Sequence, residues 1–353
     1  MIKDSIQKLV NQSDLTYEES KLVMKEIMSG KTSNAQIGAF LTALRMKGET
    51  SDEITAFTSV MKEFCCRIHP KVKGRIVDTC GTGGDKVKTF NISTSAAFVA
   101  AGADVIVAKH GNRSVTSKCG SADVLERLGL NLNIEPERIE KAIERVGIGF
   151  MFAPKFHPAM KYAIGPRREM GIRTVFNVLG PLTNPADANA QLLGVYNKKL
   201  TEPLAYSLKK LGCEEAMIVH GLDGLDEIST IGKTIVSWLK NEQVVTKEMT
   251  PGDFGVKKAK IKDIKGATAD ESAEITFKIL TGYFNLHHPK REIVQVNGAA
   301  AIIVAGKAKD FESGTDLANE SIESGNAYKK LKELIKFSQG DDSRLEQLEN
   351  KYA

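Results

Sequence analysis

No run of this sequence is apolar enough to span a bilayer; its most hydrophobic stretch, Ala96 to Ala108, is broken by Gly102 and Asp104. The opening Met1-Ile2-Lys3-Asp4-Ser5-Ile6 lacks the apolar core of a secretory signal. Cysteine is sparse and odd in number. Cys65, Cys66, Cys80, Cys119 and Cys213 form no CxxC pair and no Cys/His ligand spacing, which argues for reduced thiols in a cytoplasmic protein. The two standard nucleotide fingerprints are also missing: no GxxxxGK precedes Ser or Thr, and no GxGxxG enters a helix directly. There is no internal repeat and no low-complexity segment. A net charge of +5, spread along 353 residues, suits an anionic substrate but argues only weakly for nucleic acid. The run Lys257, Lys258, Lys260, Lys262 and Lys265 reads as a solvated surface loop.

What is present is the composition of an ordinary globular enzyme, 42% hydrophobic and 26% charged, long enough for one large domain and a small one. The first 66 residues carry helical patterns only. Ile2, Ile6, Leu9 and Val10 fall on one helix face. Thr16 with Glu19, and Ser33 with Gln36, match the capping box at two further helix starts. Ser51 opens a fourth helix that buries Ile54, Phe57, Met61 and Phe64. From about Val72 apolar runs alternate with helical stretches, the mark of a βαβ layout. Strands are expected over 76–79, 105–109, 147–152, 192–195 and 217–220, and helices over 93–101, 121–128, 135–146 and 199–211. Residues 234–238 and 243–249 read as an edge hairpin, and the chain from Asp270 onward as mainly helical. The expected organisation is a helical subdomain, 1–70, joined by part of 158–187, and an α/β domain, 71–353.

The chemistry concentrates in residues 78–123. Arg75-Ile76-Val77 feeds the glycine loop Gly81-Thr82-Gly83-Gly84-Asp85, and a polar spacer then opens a helix at Asn91-Ile92-Ser93-Thr94-Ser95. Glycines let a ligand approach main-chain N–H groups, and a helix N-terminus attracts anions. Alone, the loop is equally a turn with no ligand, and Asn91 to Ser95 equally a helix cap. Asp85 suits a metal-bound diphosphate or sugar hydroxyls better than bare phosphate. A second strand, Val105 to Ala108, delivers Lys109-His110-Gly111-Asn112-Arg113 and the hydroxyls that follow to the same sheet edge. Together the two loops form a phosphate site. His110 is a candidate acid or base, though a packing histidine is the commoner outcome. Arg167, Arg168 and Arg173 lie in a helical stretch, where arginines are usually solvated, yet a guanidinium is the best side-chain partner for a carboxylate. Asp226-Glu227, after the strand Met217 to His220, fits Mg²⁺ held by few protein oxygens plus substrate phosphate.

In this order, those motifs together with Gly120-Ser121-Ala122-Asp123 and Phe176-Asn177-Val178-Leu179-Gly180-Pro181-Leu182-Thr183-Asn184-Pro185 closely resemble the anthranilate phosphoribosyltransferase family along nearly the whole chain. The resemblance implies an α/β fold of the nucleoside phosphorylase/phosphoribosyltransferase type. Its central sheet would be mostly parallel and flanked by helices, with a small all-helical N-terminal subdomain through which a homodimer forms. It implies phosphoribosyl transfer from phosphoribosyl pyrophosphate to anthranilate with Mg²⁺, two ions per monomer, and no nucleic-acid or membrane partner. By that likeness phosphoribosyl pyrophosphate would be surrounded by Gly81, Gly84, Asp85, Thr89, Asn91, Ile92, Ser93, Thr94, Lys109, His110, Gly111, Asn112, Arg113, Ser114, Val115, Thr116, Ser117 and Ser121. Ser93, Asp226 and Glu227 would hold the metal, and Gly81, Asn112 and Arg167 would contact anthranilate. Thr116 and Cys119 stand where the family commonly has serine. A pyrimidine nucleoside phosphorylase shares the fold type and sugar chemistry but lacks the Lys-His-Gly-Asn-Arg string. A non-catalytic nucleic-acid-binding relative would have clustered its basic residues and lost the acidic pair. An amidotransferase partner is not legible, and no such domain lies in these residues.

Overall fold

Local capping chemistry sets the first elements of the fold, α1 (Ile2–Val10), α2 (Tyr17–Met28), α3 (Asn34–Lys47) and α4 (Ser51–Glu63). The computed structural model describes residues 1–84, 87–114, 119–266 and 268–352. Thr16 with Glu19, Ser33 with Gln36 and Thr50 with Glu53 each close a reciprocal capping box. The third box sits just before the expected start of α4: Thr50 is the cap, and Ser51 is the first helical residue, as expected. On α1, Ile2 and Leu9 are buried, but Val10 is 59% exposed, contrary to the expected face. It lies roughly 80° around the helix from Ile2, at the edge of the stripe and at the helix end.

The chain then enters the sheet: β1 (Ile76–Gly81), α5 (Ile92–Gly102), β2 (Ile106–Gly111), α6 (Ser121–Arg127), α7 (Pro136–Val146) and β3 (Ile148–Phe152). The next stretch carries α8 (Ala153–Phe156), α9 (Lys161–Met170) and α10 (Phe176–Leu182). It is followed by β4 (Ala190–Gly194), α11 (Thr201–Lys210), β5 (Glu215–Gly221), β6 (Thr234–Lys240) and β7 (Gln243–Met249). The remainder is helical: α12 (Ile261–Ile264), α13 (Ala269–Leu280), α14 (Pro289–Val304), α15 (Phe311–Glu323), α16 (Asn326–Phe337) and α17 (Ser343–Tyr352). Among the described residues the sheet has seven strands in the order β3-β2-β1-β4-β5-β6-β7. The pairs from β3 to β5 are parallel, and β6 and β7 add the antiparallel edge hairpin.

Strand alternation sends successive side chains to opposite faces. Leu192, Met217 and Val219 join α5 and α13 to α17 in one core, whereas Leu193, Ala216 and Ile218 join α11 and α1 to α4 in another. Ala163 of α9 and Phe176, Val178, Leu179 and Leu182 of α10 belong to the second core. The chain leaves β2 and β3 on one flank of β1 and re-enters on the other at β4. A crevice between parallel strands opens where the winding reverses in this way, at their carboxyl ends. Those ends are Gly81 and Gly194, which are register partners.

Glu53 ties the N-terminal helices together although it is completely buried. Its carboxylate accepts from Thr50 N at 2.8 Å and Leu15 N at 3.0 Å, and pairs with Lys47 Nζ at 2.8 Å. Removing one partner of a buried, fully bonded pair leaves desolvated donors behind. Glu53→Ala is therefore expected to lower unfolding stability by about 3 kcal/mol, read from urea denaturation; a change within error would refute this role.

Candidate active-site cleft

The glycine loop continues β1 and is stitched to the end of β4. Thr82 N donates to Gly194 O at 2.9 Å, and Thr82 Oγ1 accepts from Tyr196 N at 3.0 Å. Gly83 and Gly84 have φ of 70° and 96°, a left-handed path that a side chain would strain. The Gly84 carbonyl accepts from the Arg173 guanidinium at 3.2 Å, which itself lies 4.3 Å over the Tyr196 ring. Asp85 falls outside the described residues, as do Val115, Thr116 and Ser117.

The acidic doublet reaches the same place from β5. After Gly221 a tight turn is held by Asp223, which accepts from Leu225 N at 3.2 Å and from the Ser229 hydroxyl. The turn sends Asp226 back over the strand ends. A Cβ on Gly81 would stand 3.0 Å from Asp226 Oδ2, and one on Gly194 only 1.6 Å from the Asp226 carbonyl oxygen. Gly194 must therefore be glycine for the doublet's backbone to seat, and at Gly81 a side chain would crowd the Asp226 carboxylate. Glu227 Oε1 accepts from Ser93 N at 3.1 Å, placing a carboxylate on the N-terminus of α5. Asp226 and Glu227 are 9% and 8% exposed, a buried acidic pair at the switch point. The Asn91 side chain, one expected cap, makes no capping bond and donates instead to Cys119 O at 3.4 Å. The glycine loop, Ser93 and the doublet, far apart in sequence, thus share one site.

Other expected residues are placed differently. Ile92 and Thr94 are fully buried, Ile92 within the core, so neither side chain faces the cleft openly. Thr89 forms an isolated bridge with Lys265. Lys109 is 3% exposed, and its ammonium bonds inward to the Thr79 carbonyl rather than into the loop. Burial lowers the Lys109 pKa, opposed chiefly by the Asp78 charge. Burial pushes Asp78 up to about 6 against that same lysine and the donors Asn184 Nδ2 at 2.8 Å and His110 N at 3.2 Å. Arg113 is committed to Asp123 at 3.1 Å and Glu126 at 2.7 Å. Asp123 also accepts from Ser114 N at 3.1 Å and Gly120 N at 2.8 Å, holding both flanks of the second loop. Ser121 packs beneath Gly111, where an added Cβ would meet its hydroxyl at 2.2 Å, and donates to Asn112 O at 3.4 Å.

The Arg167 guanidinium sits over the Phe176 ring at 5.2 Å, and that side chain forms no hydrogen bond or ion pair with Gly81, Asn112 or any other described residue. Burial alone lowers its pKa, the mark of a desolvated guanidinium. The sequence reading missed His157. Its ring centroid is 5.0 Å from that of His110, and Nε2 of each is buried without a hydrogen-bond partner among the described residues. A lone histidine in a proline-rich connector gives no signal of this pairing. Burial pushes His110 down to about 3, helped by His157, and pushes His157 down to about 4. Both rings are neutral at pH 7. Burial also raises the thiols, Cys119 to about 11 and Cys80 well above its usual value, so neither is a thiolate nucleophile.

Comparison with known proteins agrees with this architecture. Residues 3–65 match the helical bundle domain of a glycosyl transferase family, and residues 73–328 match the a/b domain. The anthranilate phosphoribosyltransferase of Desulfosudis oleivorans is 50% identical over 341 residues, 97% of this chain and 100% of that protein. The one from Methanocorpusculum labreanum is 53% identical over 340 residues, 96% of this chain and 99% of that protein. Among solved structures, the Thermus thermophilus enzyme superposes with a TM-score of 0.89 at 38% identity, covering 95% of this chain and 99% of its own. The Saccharomyces cerevisiae enzyme in complex with PRPP and Mg gives 0.87 at 29% identity, covering 96% and 98%.

The neutral histidine pair sets a pH dependence. Below pH 6.5 the unfolded chain takes up protons that the folded rings refuse until about 4 and about 3, so stability falls as pH drops through that window. Asp78 acts in the opposite sense between about 6 and 3.8, where the folded state holds the extra proton. His157→Gln is expected to flatten the decline, recovering up to about 3 kcal/mol near pH 4 relative to its own pH 7 value. Urea unfolding at pH 7, 6, 5 and 4 measures this, and an unchanged slope contradicts it.

Proposed function

We infer function from one premise: the chain belongs to the anthranilate phosphoribosyltransferase family. It transfers the phosphoribosyl group of phosphoribosyl pyrophosphate to the amine of anthranilate, giving N-(5-phosphoribosyl)anthranilate and pyrophosphate, in tryptophan biosynthesis. The observation that carries this at residue level is the contact of Asp226 and Glu227 with the Gly81 strand end and Ser93 N.

Magnesium serves the reaction, in line with the yeast relative's complex with PRPP and Mg; two ions per subunit are our proposal. The donor set Ser93, Asp226 and Glu227 fits a hard divalent cation because every donor is oxygen. Among the described residues no cluster of three or more His, Cys, Asp or Glu gathers to cage a metal, which leaves positions for water and diphosphate oxygens. When bound, the cation offsets the negative charge that grows on the leaving diphosphate as the anomeric C–O bond breaks.

The remaining assignments concern this chain's own groups. Gly83, with open space where a Cβ would stand, and Gly84, covered by the Arg173 guanidinium, admit the diphosphate close to the loop. Lys109 acts from beneath the cleft through its charge. Arg113 and Ser114 shape the second loop through Asp123, while Asn112 and Ser121 line it. The desolvated Arg167 grips the anthranilate carboxylate, with Gly81 and Asn112 beside it. Positioning of the amine against the anomeric carbon then supplies the rate, since an aryl amine is neutral and attacks without prior deprotonation. His110, with a pKa of about 3, is a weak base, so its role with His157 is to orient the ring. A homodimer through the helical part agrees with exposed Val10, Leu22, Met46, Ile164 and Ile172 on α1 to α3 and the α9 region. A cytoplasmic location agrees with the lack, among the described residues, of a helix long and apolar enough to cross a membrane.

Purified protein mixed with anthranilate, phosphoribosyl pyrophosphate and Mg²⁺ is expected to consume anthranilate, followed by loss of its fluorescence; no loss sinks the reading. Arg167→Ala is expected to raise KM for anthranilate by about 10- to 100-fold with a smaller effect on kcat. Asp226→Asn combined with Glu227→Gln is expected to lower kcat by at least about 100-fold. Normal turnover in that double variant at saturating Mg²⁺ rejects the metal assignment.

A further inference from the structure

We propose that Asn297 is a positioning residue for the acidic doublet: its buried carboxamide fixes the main chain just after Glu227, so that Asp226 and Glu227 stand ready for a divalent cation before any ligand arrives. The proposal rests on the assignment of that pair as metal ligands and adds the element that holds it.

Asparagine is a poor helix former, and a carboxamide without partners is costly to bury. Asn297 is nevertheless in the middle of α14 and completely inaccessible. Its hydrogen bonds account for this. Oδ1 accepts from Ile228 N at 3.0 Å, and Nδ2 donates to Ile228 O at 3.1 Å and to Ile293 O at 2.8 Å. Both main-chain groups of one residue are engaged by one side chain, as a neighbouring strand would engage them. The next residue, Gly298, lets α14 lie close to α5, since a Cβ there would come within 3.0 Å of Val99 Cγ1.

The doublet is therefore gripped from two directions. Its carboxylates abut Gly81 and the Ser93 N–H, and the backbone leaving it is locked to α14. Such outer partners decide how well oxygen ligands are aimed at a metal, and their loss typically weakens metal affinity or activity by about 10- to 100-fold. Aspartate would match asparagine in shape, but as a carboxylate it would turn acceptor oxygens toward the Ile228 and Ile293 carbonyls. Substitution by aspartate thus tests the polarity of the bonds with little change in volume.

The test uses the full-length protein with Asn297→Asp and Asn297→Ser beside the wild type. Mn²⁺ is titrated in the presence of phosphoribosyl pyrophosphate, and free Mn²⁺ is read by electron paramagnetic resonance. The expected result is about 10- to 100-fold weaker Mn²⁺ binding, a matching rise in the Mg²⁺ needed for half-maximal turnover, and an unchanged KM for anthranilate. Wild-type Mn²⁺ binding in either folded variant overturns the proposal, as does an equal rise in the anthranilate KM. Hydrogen exchange on the metal-free wild type gives a reading that no misfolded variant can confuse. The Ile228 amide is expected to be protected, and rapid exchange overturns preorganisation. A wild type that binds Mn²⁺ but transfers nothing defeats the functional reading instead and leaves this one to the titration.

Discussion

A carboxylate seated on a helix N-terminus governs this cleft. Glu227 occupies the Ser93 N–H, the position that a phosphate would otherwise take. With Asp226 pressed against the ends of β1 and β4, this helix N-terminus is lined by two buried acids. A bare diphosphate brought there meets like charge at short range in a poorly screened site. In the proposed site, a divalent cation held by the doublet would offset that repulsion. The proposed use of Mg²⁺ accords with where the acids sit, and the glycine at 194 follows from the space the Asp226 backbone needs.

The floor of the cleft obeys the same balance. Lys109 and Asp78 are both buried and both pushed toward neutrality by desolvation, each opposed by the other's charge. The lysine's inward bond to Thr79 O costs it direct reach into the loop, yet keeps its amine beneath the acids. On the other side, His110 and His157 stay neutral, and Arg167 has no anionic partner among the described residues. Charge is thus partitioned: paired where the diphosphate is assigned, single where a carboxylate is assigned.

Much of this was legible in the sequence because it is local. Capping boxes at Thr16 and Ser33, strand runs bounded by glycine and the edge hairpin at 234–249 all depend on neighbours within a few residues, and each appears. The misplacements have longer range. Val10 fits the helical period but lies at the stripe's edge, where no neighbour covers it. Asn91 has the chemistry of a cap, yet the side chain that accepts from Ser93 N at the start of α5 is that of Glu227, 134 residues beyond Ser93. Nothing in the string Lys109-His110 reveals that the ammonium folds back onto β1. No pattern in α14 marks Asn297 as different from a solvated asparagine, because its partner Ile228 is supplied by another element.

The two substrates, as assigned, are held by different layers of the molecule. The diphosphate side belongs to the strand ends and α5. Arg167 belongs to α9, whose Ala163 shares a core with the N-terminal helices. What joins them near the cleft is a small buried polar seam. Gln191 on β4 donates to Pro181 O at 2.7 Å and to Cys80 Sγ at 3.0 Å, and Asn184 donates to Asp78 and to Ala108 O at 2.8 Å. Through these bonds the α10 region is registered against β1, β2 and β4 at the strands that carry the phosphate loops. An in-line attack tolerates little error in distance. By fixing α10, whose Phe176 ring lies against the Arg167 guanidinium, the seam links that cation to the strand ends, and the proposed alignment of amine and anomeric carbon depends on that link.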